Sequence, residues 1–323
     1  MLLFGAGLLI TARGDEPRYL QEAESGSRLE NALYRRMPMP GGEVLARRPP
    51  REARPLLDQL IGQAPQQADL YSLRALQEEQ QLDFAAAETD WKAYAQRAAD
   101  RAAGQLALAD FYHRRLRPQE EIAALSVVAQ SAAAANESLL APVQQESWNA
   151  FKRIFNVIAD SALPAAVSDS EYRAWIARYP AETYPYGRYF DFLLEQKEYD
   201  RAGELIASYH RAFPQDGVFP VKARALLEYR MGDIEQGLAV YDRSFDPLWP
   251  QELVRAYFDL LRETRHLRKF LDESSRALAA HPEDLNAMAR VFYYQQQNSK
   301  PEAARRVIDE FRRHKDEGKS HWT

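Results

Sequence analysis

Apolar residues recur along most of the chain at the three- and four-residue spacing of helices, and short helical stretches of similar form repeat. Four of these stretches end at Ala202, Gly237, Phe270 and Ala304. A fifth stretch ends at Ala87, and Ala53 lies one such interval before it in another helical stretch. The even spacing predicts a repeat of about 34 residues.

Four prolines follow the same period independently. They are Pro65, Pro180, Pro214 and Pro282. The second and third are one period apart, and the third and fourth are two periods apart. Because proline cannot continue a helix, we predict that each one closes a helix. The interval between the first and second exceeds three periods, which predicts an insertion within residues 125–170.

A period of this length is typical of two antiparallel helices that stack on the next pair. Helix formers such as Ala, Leu, Arg, Glu and Gln dominate, and clear runs of alternating β-branched residues are absent. We therefore expect an all-α solenoid of about 13–15 helices without a sheet. Small residues, here Ala87, Ala202, Gly237 and Ala304, should let paired helices approach closely. The large pair Phe258 and Phe270 should instead splay its two helices.

Residues 53–323 resemble the tetratricopeptide repeat family. The best unit runs from Tyr184 to Pro214, with Tyr186 early in its first helix, Tyr199 in the turn and the small Ala202 in its second helix. The resemblance implies a right-handed α-solenoid of helix-pair repeats that binds a protein or peptide on its concave side. Some positions depart from the family, which usually has small residues there. They are Phe190, Phe258, Phe270 and Phe292.

The two ends differ from the array. Residues 1–17 are predicted to be an export signal or a disordered start, and residues 18–54 a helix followed by a Pro-rich connector without regular helix. The array then occupies residues 55–323. Trp322 lies one period after Met288, in the phase of a new repeat, so we expect the array to continue beyond the chain end. The alternative is a disordered polar tail.

Composition excludes several classes of chemistry. The chain has 42 basic and 47 acidic residues without a cluster of Lys and Arg, so we expect no nucleic-acid partner. It has no cysteine, and its six histidines show no metal-binding spacing. No phosphate loop, nucleophile elbow or dinucleotide fingerprint is present. We therefore expect no enzyme activity, no metal and no cofactor in this chain.

The apolar residues 2–10 are too few to span a bilayer, so no integral membrane segment is predicted. They match the core of a secretory signal, but the positively charged leading segment is missing. Both an exported, periplasmic protein and a cytoplasmic one therefore stay open. At the other end, Val307 and Phe311 should be exposed without a following repeat, which predicts self-association through the C-terminal end.

Candidate partner-binding residues are those that the repeat phase places on the concave side. They are Tyr184, Asp191, Lys222, Tyr229, Arg255, Asp259, Arg262, Tyr293 and Gln296. Tyrosine and arginine are enriched at binding hot spots. Family members that hold a terminal carboxylate of chaperone tails use a Lys and Asn pair. Here Lys222 is present but Leu226 occupies the Asn position, so that class of partner is not expected.

The leading hypothesis is a scaffold or adaptor that binds a peptide or helix in a concave groove. One alternative is the recognition arm of a larger enzyme whose catalytic domain lies beyond residue 323. A second is an assembly factor for cell-envelope or secretion machinery.

Overall fold

The computed structural model describes residues 50–133 and 142–320, and within these ranges it contains fifteen helices and no strand. The expectations for residues 1–17, for the helix that begins residues 18–54 and for Trp322 lie outside the described residues. In chain order, the helices are α1 (Pro50–Gln63), α2 (Ala68–Gln80), α3 (Phe84–Arg97), α4 (Arg101–Arg114), α5 (Pro118–Ala133), α6 (Pro142–Asp160), α7 (Ala165–Arg178), α8 (Tyr184–Glu195), α9 (Tyr199–Ala212), α10 (Val218–Arg230), α11 (Ile234–Ser244), α12 (Gln251–Glu263), α13 (Leu267–Ala280), α14 (Leu285–Gln297) and α15 (Pro301–Ser320).

The chain divides into two compact units, Met1–Val157 and Ile158–Thr323. In the first unit, α2 packs on α3 and α4 packs on α5. In the second unit, the consecutive pairs are α8 with α9, α10 with α11, α12 with α13 and α14 with α15. The first helices of these pairs, α8, α10, α12 and α14, also pack side by side in chain order. The expected all-α fold of stacked helix pairs is therefore confirmed.

The helix starts reproduce the period. The even-numbered helices from α2 to α14 begin at residues 68, 101, 142, 184, 218, 251 and 285. Consecutive starts lie about 34 residues apart, except that the two intervals on either side of the start of α6 are longer. The longer intervals agree with the insertion expected within residues 125–170, because α5 and α6 have 16 and 19 residues, whereas α8 to α14 have 11 to 14.

Each predicted proline lies two residues after a helix end. The prolines Pro65, Pro180, Pro214 and Pro282 follow the ends of α1, α7, α9 and α13. At the third of these sites Phe213 has φ −128° and ψ 66°, outside the helical region, as expected for a residue that precedes proline. The Asp216 N–H donates to the Phe213 carbonyl at 3.1 Å, which closes a turn with proline at its second position. The predicted role of these prolines is confirmed.

The turns inside the helix pairs share a feature that the sequence did not reveal. One residue in each has a positive φ, 94° at the glycine and 53° to 62° at the others; these residues are Leu82, Leu116, Lys197, Gly232, Arg265 and Ser299. Around Lys197, the Glu198 N–H donates to the Leu193 carbonyl at 2.9 Å and the Lys197 N–H to the Leu194 carbonyl at 3.1 Å. This is the Schellman arrangement, which ends a helix with a left-handed residue.

Close helix approach occurs at the small residues. Ala87 and Ala202 are fully buried, and Ala304 is 4% exposed. A Cβ atom placed on Gly237 of α11 would lie 3.0 Å from the Ala225 carbonyl oxygen of α10. This contact is with backbone, so Gly237 allows the two helices to pack at a distance that a side chain would prevent.

Where the small residue is replaced by a large one, aromatic rings separate the helices. Phe258 of α12 and Phe270 of α13 are both buried, and their rings meet edge to face with centroids 5.3 Å apart. Tyr257 also packs edge to face on Phe270 at 5.5 Å. These rings belong to the core of the second unit, which replaces backbone contact with aromatic packing in this pair.

One expectation about the N-terminal connector is wrong. The Pro-rich connector was expected to lack regular helix up to residue 54, but α1 begins at Pro50 and includes Pro55. Any other residue at position 55 would donate its backbone N–H to the Arg51 carbonyl, whereas proline has no N–H to donate. The helix therefore loses one hydrogen bond, close to its N-terminus. Burial of Ala53 and Leu57, both fully inaccessible, in a cluster with α2 stabilises the helix against this loss.

The first unit also contains a partly buried ionic cluster. Arg74 donates to both oxygens of Asp90, at 2.5 and 2.8 Å, and to Asp58 at 2.7 Å. Glu78, only 2% exposed, lies beside this cluster, and its nearest cation is Arg54, with 3.4 Å between Nη2 and Oε1. Burial and the nearby Asp90 charge raise the pKa of Glu78 to about 7.

Candidate functional site

The second unit has an open groove formed by the first helices of three consecutive pairs, α8, α10 and α12. A cavity of about 420 Å³ occupies it. Its base consists of aromatic and aliphatic side chains, whereas its edges carry charged groups. The lining residues are Gly187, Phe190, Asp191, Phe219, Lys222, Ala223, Leu226, Tyr229, Tyr241, Ala256, Asp259, Leu260 and Glu263.

A second, more polar cavity of about 450 Å³ adjoins the first and shares Asp191 and Leu226 with it. It extends toward α7. Its polar lining residues are Ser161, Ser168, Tyr172, Arg188, Asp191, Glu195, Gln196 and Arg230. We call the first cavity the apolar cavity and the second the polar cavity.

The groove follows from the helical periodicity of each first helix. Arg188, Asp191 and Glu195 are spaced three and four residues apart, so they share one face of α8. On α10, Lys222 and Leu226 have the same relation. Side-by-side packing of α8, α10 and α12 places these faces next to each other, and repeats of the same length keep them in register.

Polar contacts connect neighbouring first helices along the groove. The Lys222 ammonium forms an ion pair with Glu252. The Tyr229 hydroxyl of α10 donates to Glu263 of α12 at 2.6 Å, and this bond raises the pKa of the tyrosine. These contacts fix the edge of the groove between α10 and α12 and leave its base apolar.

Three further predicted residues lie on α12 and α14. Arg262 donates to Asp259 at 2.7 Å and to the Gln297 carbonyl of α14 at 3.1 Å. Arg255, Arg262 and Gln296 are not buried, but none of them lines either cavity. Of the nine candidates, the cavities therefore bring together four, and these are Asp191, Lys222, Tyr229 and Asp259. Tyr184 is half-buried at the start of α8.

The expected exposure of Tyr293 is wrong. This side chain is 9% exposed and belongs to the core of the second unit. Its hydroxyl donates to the Pro247 carbonyl at 2.7 Å, and its ring packs against Phe245 with centroids 6.3 Å apart. The segment between α11 and α12 therefore covers the face of α14 that helical phase alone assigns to the groove.

Electrostatics distinguish the polar cavity from the rest of the groove. Burial raises the pKa of Asp191, and the nearby Arg188, Lys222 and Arg230 oppose that shift. Burial also raises the pKa of Tyr172 to about 12, so its hydroxyl stays protonated at neutral pH. The polar cavity therefore combines a carboxyl group, a guanidinium and a phenol.

Sequence reasoning missed Arg188, which lines the polar cavity one helical turn before Asp191. The signal was available, because residues three apart on a helix share a face. It was overlooked because Tyr184 and Asp191 of α8 were assigned to the concave side, but the position between them that shares their face was not.

Other candidate chemistry is sparse in the described ranges. Among residues 50–133 and 142–320, no group of three or more His, Asp or Glu side chains is arranged to hold a metal ion. Within the same residues, no helix combines the length and apolar character needed to cross a bilayer. His113 and His210 lie in the last turns of α4 and α9. There the helix dipole favours a positive charge.

No protein-family model matches the chain, and no curated protein matches it. Among solved structures, it is similar to a chain of the Naa15/Naa10 complex bound to HypK-THB, with 14% identity, a TM-score of 0.39 and coverage of 90% of this chain and 41% of that one. It is also similar to a monomeric mutant of IFIT1 with Gppp-AAAA, with 12% identity, a TM-score of 0.28 and coverage of 81% and 57%.

This chain therefore spans about two fifths of the length of the first of these chains and somewhat over half of the length of the second. The class of the protein follows from its own helix pairs and their stacking. It is a helical-repeat protein, built of antiparallel pairs with a period of about 34 residues.

Proposed function

We propose that this chain is a divergent member of the tetratricopeptide repeat family and acts as a protein-interaction scaffold. Its groove on α8, α10 and α12 binds a peptide or helix of another protein. The observation that carries the proposal is the apolar cavity, which combines a base of Phe219, Leu226 and Leu260 with charged edges. Binding sites commonly pair an apolar lining with a few placed polar groups.

The dimensions support a segment of polypeptide. The two cavities have about 420 and 450 Å³ and adjoin at Asp191 and Leu226, so together they form an elongated site. An amphipathic segment could bury its apolar side chains in the apolar cavity and keep polar ones near Lys222 and Asp259. Recognition of this kind uses anchors at regular spacing along the bound segment.

The test removes the apolar contact at the junction of the cavities. Leu226→Arg would place a charge in the groove, and Leu248→Arg is the matched control because Leu248 is 88% exposed in a loop. Both variants and the parent chain are used to capture peptides from a displayed random library, with circular dichroism as a check of helicity.

We expect the parent and Leu248→Arg to enrich the same peptides and Leu226→Arg to lose at least about tenfold in affinity for them, because burial of a leucine side chain contributes about 1.5–3 kcal/mol. Equal affinities of all three proteins would exclude this groove as the binding site. A recognition arm of a larger enzyme or an envelope assembly factor would use the same groove, so this test precedes any distinction between them.

A further inference from the structure

The polar cavity contains a guanidinium whose hydrogen bonds are incomplete. The Nε atom of Arg188 is buried and has no acceptor within the part of the chain that the structure describes. Several other guanidiniums donate to carboxylates. Arg153, for example, donates from Nε and Nη2 to one oxygen of Glu121 at 2.9 and 2.6 Å. A buried donor without an acceptor destabilises the free protein, so a ligand that supplies the acceptor gains affinity.

Asp191 completes this site one helical turn later. Among the described residues, no ion pair joins its carboxylate to Arg188, Lys222 or Arg230, although all three influence it electrostatically. Residues three apart face the same side of a helix, so the guanidinium and the carboxylate enter the polar cavity side by side. The guanidinium can only donate hydrogen bonds, and the carboxylate, when ionised, can only accept them.

We infer that Arg188 and Asp191 together bind the primary amide of an Asn or Gln side chain of the partner. The guanidinium donates to the amide oxygen, and the amide NH₂ donates to the carboxylate. This inference rests on the proposed function, because it names the side chain that the groove selects. No covalent step is involved.

The charges of the cavity favour a neutral group. Arg188 and Arg230 balance Asp191 and Glu195, so the four side chains have no net charge. A carboxylate from the partner would add a negative charge beside Asp191, and an ammonium would add a positive one beside Arg188. Either would place a charge beside one of like sign, whereas an amide adds no charge.

A side-chain amide also fits better than the main chain. The oxygen and the NH₂ group of Asn or Gln lie on the same end of the side chain, so both can contact two neighbouring protein groups. In a trans peptide bond the N–H and C=O point in opposite directions and cannot reach both.

The experiment measures selection among four peptide pools. Each pool contains N-acetylated peptides with a C-terminal N-methylamide, which is uncharged but not a primary amide, a fixed central residue, Gln, Glu, Lys or Leu, and flanking positions randomised over Leu, Ile, Phe, Ala and Ser. The full chain is immobilised, and captured peptide is quantified by mass spectrometry. We expect the Gln pool to be captured at least about tenfold more strongly than each of the others, because a site that hydrogen-bonds a polar group of its ligand rejects analogues that lack it.

Two variants test the assigned roles. Asp191→Asn leaves the cavity positive and should shift the preference from Gln to Glu. Arg188→Gln leaves it negative and should shift the preference to Lys. Arg211→Gln is the control, because it removes the same charge from an exposed site on α9 outside both cavities and should keep the Gln preference.

The outcomes separate this inference from the proposed function. Capture of all four pools to the same extent, or a stronger capture of Glu or Lys by the parent chain, would overturn the amide site while leaving groove binding intact. A change of preference in Arg211→Gln equal to that in Arg188→Gln would also overturn it, because the effect would then come from net charge. Failure to capture any pool, together with no effect of Leu226→Arg in the library experiment, would instead contradict the proposed function.

Discussion

Two glycines in second helices of neighbouring pairs provide a test of how closely the helices pack. A Cβ on Gly237 would lie 3.0 Å from the Ala225 carbonyl oxygen and 3.4 Å from the Tyr229 nitrogen. A Cβ on Gly203 of α9 would meet only the Leu227 Cδ2 atom, at an ordinary 3.8 Å. Substitution by alanine therefore has the same chemistry at both sites but different steric consequences.

Alanine is favoured over glycine within a helix by about 0.8–1.0 kcal/mol. Gly203→Ala should therefore raise the free energy of unfolding by about 1 kcal/mol, since its new methyl group finds space. Gly237→Ala gains the same propensity but forces backbone apart, and overpacking costs about 1–3 kcal/mol. We expect it to be neutral to destabilising, by up to about 2 kcal/mol.

Urea unfolding followed by circular dichroism at 222 nm measures both variants against the parent chain. Gly237→Leu, which adds a larger side chain at the same contact, should be less stable than Gly237→Ala. If Gly237→Ala is as stable as Gly203→Ala, α10 and α11 do not approach as closely as the structure indicates, and the small-residue explanation of the repeat is wrong.

Three further predictions concern other parts of the chain. Leu116 and Gly232 both have a positive φ, a backbone conformation that costs about 1 kcal/mol in any residue other than glycine. Leu116→Gly should therefore raise the thermal midpoint of unfolding, and Gly232→Ala should lower it. Unchanged midpoints of both variants in calorimetry would contradict this. The folded state raises the pKa of Glu78 from 4.5 to about 7, so it binds a proton that the unfolded state releases, and stability should fall as the pH rises through that range. Between pH 5 and 8, the urea midpoint should fall less in Glu78→Gln than in the parent chain. Identical pH profiles of the two proteins would refute the raised pKa of Glu78. Light scattering should detect self-association of the parent chain through its C-terminal end, and the double variant Val307→Glu, Phe311→Glu should reduce it. A parent chain that is monomeric at all concentrations would exclude self-association through these two residues.

Much of the repeat could be predicted because it depends on steric properties of single residue types. Proline stops helices and small residues allow close approach wherever they occur, so Pro214 and Gly237 indicated the period directly. The left-handed turns could not be found in the same way. Leu82 and Leu116 are unfavourable in that conformation, and they adopt it because the Schellman hydrogen bonds and helix packing on both sides determine the turn.

The groove was harder to predict than the fold, since it depends on contacts between distant residues. Asp191 and Lys222, which helical phase assigned to the concave side, line the cavities. It failed for Tyr293, because a segment from the preceding pair covers that face of α14, and Pro247 accepts the tyrosine hydrogen bond. Phase alone contains no information about the path of such a segment.

Site-specific photo-cross-linking on α10 tests most directly whether partners bind on the first helices of the second unit. Benzoylphenylalanine replaces Lys222, which lines the apolar cavity, or Arg224, which is on the same helix, is exposed and lines neither cavity. With a peptide selected from the displayed library, we predict efficient cross-linking from position 222 and only background from position 224. Equal cross-linking at both positions, or a product from position 224 alone, would contradict the account.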